Sequence, residues 1–195
     1  MSSYTFQSHT YPSPLSVYPS PSDLPPLPTD RNPDGKSLVN PPAAAGLSSA
    51  YSQFEAPLDN GARGGFDVHI YFYHTNPEHT RYARELWERI RREFPELRIY
   101  TFWEKPVGPH PVGMFEVNIF TPHQFGAFVA WLAIWRGPLS VFIHPNTNEP
   151  EVSLGQQEFR NHTQRAIWMG ERFPLDTTIF QKIDAEKVTE IPRGG

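Results

Sequence analysis

The segment FDVHIYFY, residues 66–73, decides the fold of this chain. It is rich in β-branched and aromatic residues, and its side chains alternate between two kinds, which is typical of a β-strand. Val68 and Ile70 share one face, whereas His69 and Tyr71 share the other. The alternation predicts a strand with an apolar face that packs on a core and an opposite face that displays polar, chemically active groups.

The sequence around this strand follows a repeated order. Asn76 can cap a helix that begins at Pro77, and the second half of the chain offers Thr121 and Pro122 for the same two positions. Apolar residues recur at helical spacing after each start. Each half therefore reads strand, helix, strand. The other predicted strands span residues 97–103, 113–120 and 139–145.

This order predicts the fold class. A β-α-β-β-α-β order with right-handed crossovers gives an α+β domain with a ferredoxin-like antiparallel sheet of four strands and both helices on one face. The other face is expected to stay open. The C-terminal segment NHTQRAIWMGERFPLDTTIF is expected to add a short helix and an extended piece that caps this face or pairs with a second subunit.

Proline content divides the chain into parts. Half of the 22 prolines lie in the first 60 residues, among small and polar residues without an apolar period. Such a segment buries too little apolar surface to offset its chain entropy. Residues 1–60 are therefore predicted to be a disordered, proline-rich arm. The folded domain is predicted at 61–183, and a C-terminal tail at 184–195.

The composition excludes several classes of function. The chain has no cysteine, which excludes disulfides, thiolate catalysis and cysteine-based metal clusters, and its net charge is −4. Without a cluster of Lys and Arg, neither nucleic acid nor a membrane is an expected partner. The sequence lacks the patterns of a signal peptide and of a membrane span. We therefore expect a cytoplasmic protein.

Four polar residues converge on the far face of the predicted sheet. His69 and Glu116 lie on the two central strands, His144 lies on the strand beside them, and His110 is held between two prolines in a loop that can fold over the same end. Imidazole and carboxylate donors suit a divalent metal, either Fe(II) with open coordination positions or Zn(II) in a closed tetrahedral site. Either Glu116 or a third imidazole would complete the ligand set.

Each of these residues also has a structural explanation. His69 can be solvated, His144 can close a strand before a turn, His110 can stiffen its loop, and Glu116 can pair with an arginine. Only their joint placement on one face favours a site. His162 is predicted to open the last helical segment, where it could carry a proton, bind the metal as a fourth ligand or simply start the helix.

Four irregular segments in this order, FDVHIYF, VGPHPVGMFEV, VFIHPNT and NHTQRAIWMG, closely resemble the DOPA 4,5-dioxygenase family. The similarity runs from Phe66 to Phe180 and does not cover the arm. The resemblance implies a ferredoxin-like domain, commonly a dimer, that uses non-haem iron and O2 to cleave a catechol ring beside its diol. In the fungal pigment members the substrate is L-DOPA, and the ring-opened semialdehyde cyclises to betalamic acid or muscaflavin.

The resemblance also suggests roles for single residues. The recurrent histidines of the family match His69, His110, His144 and His162. We expect His162 to accept a catechol proton, with His110 as the second choice. Many members are expected to carry an acidic residue where this chain has Asn161. If that acid orients the last imidazole, proton transfer should be weaker here.

The remaining expectations concern substrate, partners and rival functions. Tyr71 and Trp103 could stack on the ring, and Arg98 or Arg165 could meet a substrate carboxylate. The expected protein is an Fe(II) extradiol dioxygenase, with Zn(II) as a substitute metal, that acts on L-DOPA or a related catechol as a homodimer. One rival is a zinc-dependent hydrolase with the same ligands. The other is a non-enzymatic dimeric interaction module whose histidines are structural.

Overall fold

The computed structural model describes residues 3–6, 9–42 and 46–189. The chain divides into two compact units, Met1–Leu47 and Ser48–Gly195. In the first unit, the strands Ser3–Phe6 and His9–Pro12 pair in an antiparallel hairpin. Short 3-10 helices follow in this unit, and most of its described side chains are exposed. The disorder predicted for residues 1–60 stays a prediction.

The second unit is an antiparallel sheet with helices. In its described part the strands and α-helices, labelled here in chain order, are β1 (Phe66–Phe72), α1 (Pro77–Glu93), β2 (Arg98–Ile99), β3 (Gly113–Ile119), α2 (Pro122–Trp135), β4 (Ser140–Pro145), α3 (Leu154–His162), β5 (Ile167–Met169) and α4 (Thr178–Thr189). The strand order is β2-β3-β1-β4-β5, and all neighbours are antiparallel. This arrangement confirms the predicted α+β fold. Strand β5 extends the predicted four-stranded sheet beyond β4.

Both predicted helix starts are present. The Asn76 side chain accepts hydrogen bonds from the N–H groups of Glu78 and His79, at 2.9 and 3.3 Å. The Thr121 hydroxyl accepts one from the N–H of Gln124 at 3.1 Å. A proline occupies the first position of each helix. These caps satisfy N–H groups that the first turn of a helix leaves without partners.

The core lies between the sheet and the first two helices. Val68 and Ile70 of β1 are fully buried there, with Phe115 and Val117 of β3 beside them. Helices α1 and α2 cover this face with apolar residues at helical spacing, namely Ala83, Leu86, Ile90, Phe128 and Leu132. Because the even-numbered side chains of β1 point into this core, its odd-numbered side chains must point to the opposite face.

Strand β2 is shorter than predicted. It pairs with β3 only at Arg98 and Ile99, and pairing resumes at an isolated bridge between Trp103 and Met114. Between the Ile99 and Trp103 pairs, the β2 side carries one residue more than the β3 side. An extra residue on one strand interrupts a ladder as a β-bulge does, which ends the regular strand.

The far face of the sheet is covered, whereas the sequence predicted an open face. Tyr71, Met114 and Phe142 form a second buried cluster there. The Trp103–Val112 loop and the segment that follows α3 pack over this cluster with Val107, Trp168 and Phe173. The covering segments exclude water from polar groups on the same face. The C-terminal addition was expected as a cap, and it does cover this face.

The chain on both sides of the predicted domain limits belongs to the second unit. Before residue 61, Phe54 packs edge-on against Phe66, and the Asp59 N–H donates to the Asn146 carbonyl at 2.8 Å. After residue 183, α4 continues to Thr189. Residues 190–195 of the predicted tail lie outside the described residues. Among the helices that the structure describes, none combines the length and the apolarity that a membrane span requires.

Candidate metal centre

The register of the three central strands assembles a polar site on the far face. Asp67 of β1 lies opposite His144 of β4 and Asn118 of β3. One step along the same face, His69 lies opposite Glu116. Directly opposed side chains on neighbouring strands are within contact distance, so pairing alone brings these groups together.

His69 and His144 face each other through the same ring atom. Their Nε2 atoms are 3.2 Å apart, and both residues are buried. The Asp67 Oδ2 atom lies 3.9 Å from the His144 Nε2 atom. One donor atom from each of the three residues lies within 4.8 Å of the others. Two nitrogen ligands about 2.1 Å from one metal ion are separated by about 3.0–3.4 Å, so the observed spacing fits a shared ion.

Hydrogen bonds to carbonyl groups determine which ring nitrogen carries the lone pair in two of the imidazoles. The His144 Nδ1 atom lies 3.1 Å from the Pro145 carbonyl oxygen. The His162 Nδ1 atom lies 2.8 Å from the Glu158 carbonyl oxygen. A carbonyl oxygen only accepts, so each Nδ1 carries the proton and each Nε2 atom has a free lone pair when the ring is neutral.

Burial keeps the imidazoles neutral. It lowers the pKa of His110 to about 3 and that of His162 to about 4. It also holds the pKa values of His69 and His144 well below the usual range, and the neighbouring imidazoles add to this effect. Neutral imidazole is the form that binds a metal or accepts a proton.

Asp67 is anchored by three donors. The amide groups of Asn118 and Asn146 donate to its Oδ1 atom at 2.7 and 3.0 Å. Arg63 donates to its Oδ2 atom at 3.0 Å and also reaches Glu158 at 3.1 Å. Burial raises the pKa of Asp67, and the Arg63 charge opposes that rise. The carboxylate is thus held in place beside the imidazoles.

Glu116 lies on the other side of the His69 ring. Its Oε2 atom is 3.9 Å from the His69 Nδ1 atom, whereas His144 faces Nε2. Its Oε1 atom accepts a hydrogen bond from Asn118 at 2.9 Å, and burial raises the pKa of Glu116 to about 7. The structure therefore groups Asp67, and not Glu116, with the two histidines. A ligand role for Glu116 stays a prediction.

The rings of the other two predicted histidines pack against this pair in tilted orientations. The His110 ring lies 4.3 Å from the His69 ring, and the His162 ring lies 3.9 Å from the His144 ring. The His110 Nδ1 atom is 2.6 Å from the Tyr71 hydroxyl. His162 is the last residue of α3, whereas the sequence predicted that it opens a helix. The helix begins earlier because Ser153 caps it.

Asn161 does not orient the His162 ring. Its side chain is buried and exchanges hydrogen bonds with Thr147 and Arg165 at 3.0 and 3.1 Å. Glu158, one helical turn before His162, supplies the acceptor at its Nδ1 atom. An acidic residue at position 161 would be directed toward Arg165, so the expected weakening of proton transfer has no support in this geometry.

The predicted substrate contacts are largely occupied within the protein. Tyr71 is buried with its hydroxyl on His110, and Trp103 packs against the same apolar cluster. Arg165 makes two contacts with Glu149, at 2.6 and 3.0 Å. Arg98 donates to the Ala62 carbonyl and lies over the Phe120 ring. Substrate roles for these four residues stay predictions.

Two acidic groups of the site, Asp67 and Glu158, were not among the residues predicted from the sequence. Asp67 precedes His69 by two residues, so the strand period that selected His69 would have placed Asp67 on the same face. Glu158 precedes His162 by one helical turn, but that signal required a helix that was predicted to begin later. Arg63 lies before β1, where no local period indicates the direction of its side chain.

Comparisons with known proteins identify the family of this chain. The model of the Dopa 4,5-dioxygenase family matches residues 66–179. A protein of Botryotinia fuckeliana, named only as an uncharacterised 21.2 kDa protein, is 59% identical over 179 residues, covering 92% of this chain and 95% of that protein. A DOPA 4,5-dioxygenase of Amanita muscaria is 35% identical over 114 residues, covering 55% of this chain and 46% of that enzyme.

Among solved structures, a candidate dioxygenase of Nostoc punctiforme PCC 73102 aligns with a TM-score of 0.48 and 26% identity. The alignment covers 64% of this chain and 97% of that one. The match of the family model includes β1, the His110 loop, β3, β4 and α3, and these elements carry every histidine of the site. The chain therefore belongs to the Dopa 4,5-dioxygenase family.

Proposed function

We propose that this protein is a non-haem Fe(II) dioxygenase of the extradiol type that opens the ring of L-DOPA or a related catechol with O2. The observation that carries the proposal is the grouping of His69, His144 and Asp67. Two histidines and one carboxylate with open positions are the donor set typical of non-haem Fe(II) oxygenases. Membership of a dioxygenase family supports the same class.

The residues fit such an ion chemically. The facing Nε2 atoms of the two histidines are at ligand spacing, and the rings are neutral because they are buried. Asp67 adds the negative charge that a divalent cation requires. Bound by these three residues, Fe(II) would supply adjacent open positions and the electron transfer that ring cleavage by O2 needs.

His162 is suited to move the catechol proton. Its Nδ1–H group is fixed on the Glu158 carbonyl, so its free Nε2 atom can accept a proton from the substrate hydroxyl and return it later to the product. The ring packs against that of His144 at 3.9 Å, which places this base beside the proposed metal ligands. Arg63 restrains Glu158 and Asp67 together, because it contacts both carboxylates.

Aromatic side chains surround the site and limit water. Phe142 packs against the imidazoles, with its ring centroid 5.2 Å from that of His144 and 5.7 Å from that of His162. Phe180 of α4 also packs against His162, with a distance of 4.6 Å between the ring centroids. Apolar surroundings favour the neutral base before proton transfer, and they protect a reactive ring-opened product from side reactions. A homodimer, as the resemblance implies, belongs to the same proposal.

The test is anaerobic reconstitution with Fe(II), followed by L-DOPA and O2. We expect O2 uptake equal to the amount of ring opened, together with a yellow ring-opened product. Activity restored by Zn(II) alone, without O2 uptake, would instead support the zinc hydrolase. Metal binding without turnover on L-DOPA or on a panel of catechols would contradict the dioxygenase, and absence of metal binding would favour the non-enzymatic module.

A further inference from the structure

We propose that Glu116 is a positioning residue that accepts a hydrogen bond from the Nδ1–H group of His69 when a metal binds. The inference rests on the proposed metal centre at His69, His144 and Asp67, and it assigns Glu116 a place outside the ligand set. It follows from the hydrogen bonds of His69 and His144, because these bonds determine which ring nitrogen carries the proton.

The hydrogen bonds of the structure place the proton of His69 on Nε2. The His144 Nδ1–H group is committed to the Pro145 carbonyl, so the His144 Nε2 atom carries a lone pair. The His69 Nε2 atom is 3.2 Å away, and two lone pairs at that distance would repel each other. His69 therefore donates from Nε2, which leaves its Nδ1 atom as an acceptor.

That Nδ1 atom is buried, and within the described residues it has no hydrogen-bond partner. A buried polar atom without a partner is rare and costs free energy. Once the Nδ1 atom carries a proton, a nearby carboxylate can supply the missing partner. The nearby carboxylate is that of Glu116, whose Oε2 atom lies 3.9 Å away.

Metal binding reverses the protonation of His69. Both Nε2 lone pairs are then needed for the ion, so the proton of the neutral His69 ring relocates from Nε2 to Nδ1 without net loss. The Nδ1 atom becomes a donor that faces Glu116. A small approach of the carboxylate makes a hydrogen bond that orients the ring and raises its basicity as a ligand.

The geometry separates this role from direct ligation. Glu116 faces the nitrogen that points away from His144, so it lies on the opposite side of the His69 ring from the shared position. Asn118 holds its other oxygen at 2.9 Å, which directs Oε2 toward His69. The same amide group bonds Asp67, so one asparagine aligns both carboxylates.

The first test measures the dissociation constant of Zn(II) alone, by competition with a coloured chelator. Zn(II) takes the same nitrogen and oxygen ligands and is diamagnetic. We expect Glu116→Ala to weaken binding by about 10–100-fold, and Glu116→Gln, which keeps an acceptor oxygen, to recover most of that loss. Glu104→Ala, which removes an exposed carboxylate paired with Arg84, is the matched control and should bind as wild type does.

The second test observes the protonation itself in the wild-type protein, so it does not depend on the folding of a variant. Nitrogen NMR of His69 should show the Nε2–H form without metal and the Nδ1–H form with Zn(II). Retention of the Nε2–H form, or wild-type Zn(II) affinity in Glu116→Ala, would overturn the inference and leave the metal centre standing. Absence of Zn(II) binding by the wild-type protein would overturn both.

Discussion

At the scale of single residues, the candidate metal centre depends on lone pairs whose directions are set by backbone carbonyl groups. Pro145 fixes the His144 ring and Glu158 fixes the His162 ring, each through an Nδ1–H group. Rings held in this way need little reorganisation when an ion or a proton arrives. Substitution of His144 should therefore mainly affect metal binding, whereas substitution of His162 should mainly affect proton transfer.

Replacement of His144 by alanine should remove metal binding. Because this ring supplies one of the two facing Nε2 atoms, we expect affinity for Fe(II) or Zn(II) to fall by about 100-fold or more. Far-UV circular dichroism should stay unchanged, since the strand pairing of β4 uses backbone groups. His123→Ala, at an exposed position in α2, is the control. Full metal occupancy in His144→Ala would refute its role as a ligand.

His162→Ala should separate binding from turnover. We expect the metal content to stay near that of the wild type, while kcat falls by about 100- to 10,000-fold, because the proton acceptor is lost. Steady-state O2 uptake with a quantified metal content measures both. Loss of metal together with activity would instead make His162 a ligand.

The residue scale also shows what the sequence could predict. Period-two alternation on β1, β3 and β4 selected His69, Glu116 and His144, and the structure brings these side chains onto one face. The alternation could not decide which oxygen donor shares the ion, because Asp67 and Glu116 are both neighbours of His69. That choice depends on ring orientation, which hydrogen bonds determine and local sequence does not encode.

At the scale of elements, α3 and α4 approach each other at Gly155. The Gly155 N–H donates to the Asp184 carboxylate at 2.8 Å, and a side chain at this position would collide with the Phe180 carbonyl. Phe180 in turn packs on His162. The close approach of the two helices therefore holds an aromatic wall of the site.

Gly155→Ala should destabilise the protein and disturb the site. The added methyl group must push α4 away, so we expect the free energy of unfolding to fall by about 1–3 kcal/mol. Gly126→Ala is a matched control in α2, where a methyl group meets open space and should raise stability by about 0.5–1 kcal/mol. Urea denaturation measures both. Equal stability of the two variants would show that α4 can move away from position 155 without a cost in free energy.

Helices and strands could be predicted from the sequence where helix-capping residues and the alternation of side chains agreed. Asn76 with Pro77 and Thr121 with Pro122 marked both long helices correctly. Strand β2 was predicted too long, since its bulge depends on the partner strand. Helix α3 begins earlier than the sequence predicted, because Ser153 caps it. Such features depend on tertiary contacts more than on local pattern.

At the scale of the whole molecule, four buried imidazoles link stability to pH. Their pKa values are lowered from 6.5 by burial, to about 3 for His110 and about 4 for His162. The unfolded chain therefore binds more protons below pH 6.5, which favours unfolding as the pH falls. Glu116 opposes this trend, because its pKa is raised to about 7, and so does Asp67.

The imidazoles outnumber the two carboxyl groups. Each histidine contributes up to about 1.4 kcal/mol per pH unit, so we expect the metal-free protein to lose roughly 2–4 kcal/mol between pH 6.5 and 5.0. Urea denaturation across this range measures the slope. Stability that stays constant or increases on acidification would mean that the imidazoles are charged in the folded state.

The segment of residues 48–60 should contribute to the stability of the second unit. Phe54 packs on Phe66, and the Asn60 side chain donates to the Phe120 carbonyl at 2.6 Å. Deletion of residues 1–60 should therefore give a Tm roughly 5–10 °C below that of a chain lacking only residues 1–47. Calorimetry of the two truncated proteins compares them. Equal Tm values would show that these contacts add nothing.

The two faces of strand β1 have separate roles. Its even positions, Val68, Ile70 and Phe72, lie in the core, and its odd positions, Asp67, His69 and Tyr71, lie on the face that carries the candidate metal centre. Point mutations can therefore retune the chemistry while the core is left intact, or the reverse. An insertion of one residue exchanges the two faces. Insertions and deletions in this strand should therefore be tolerated less during evolution than substitutions of its single residues.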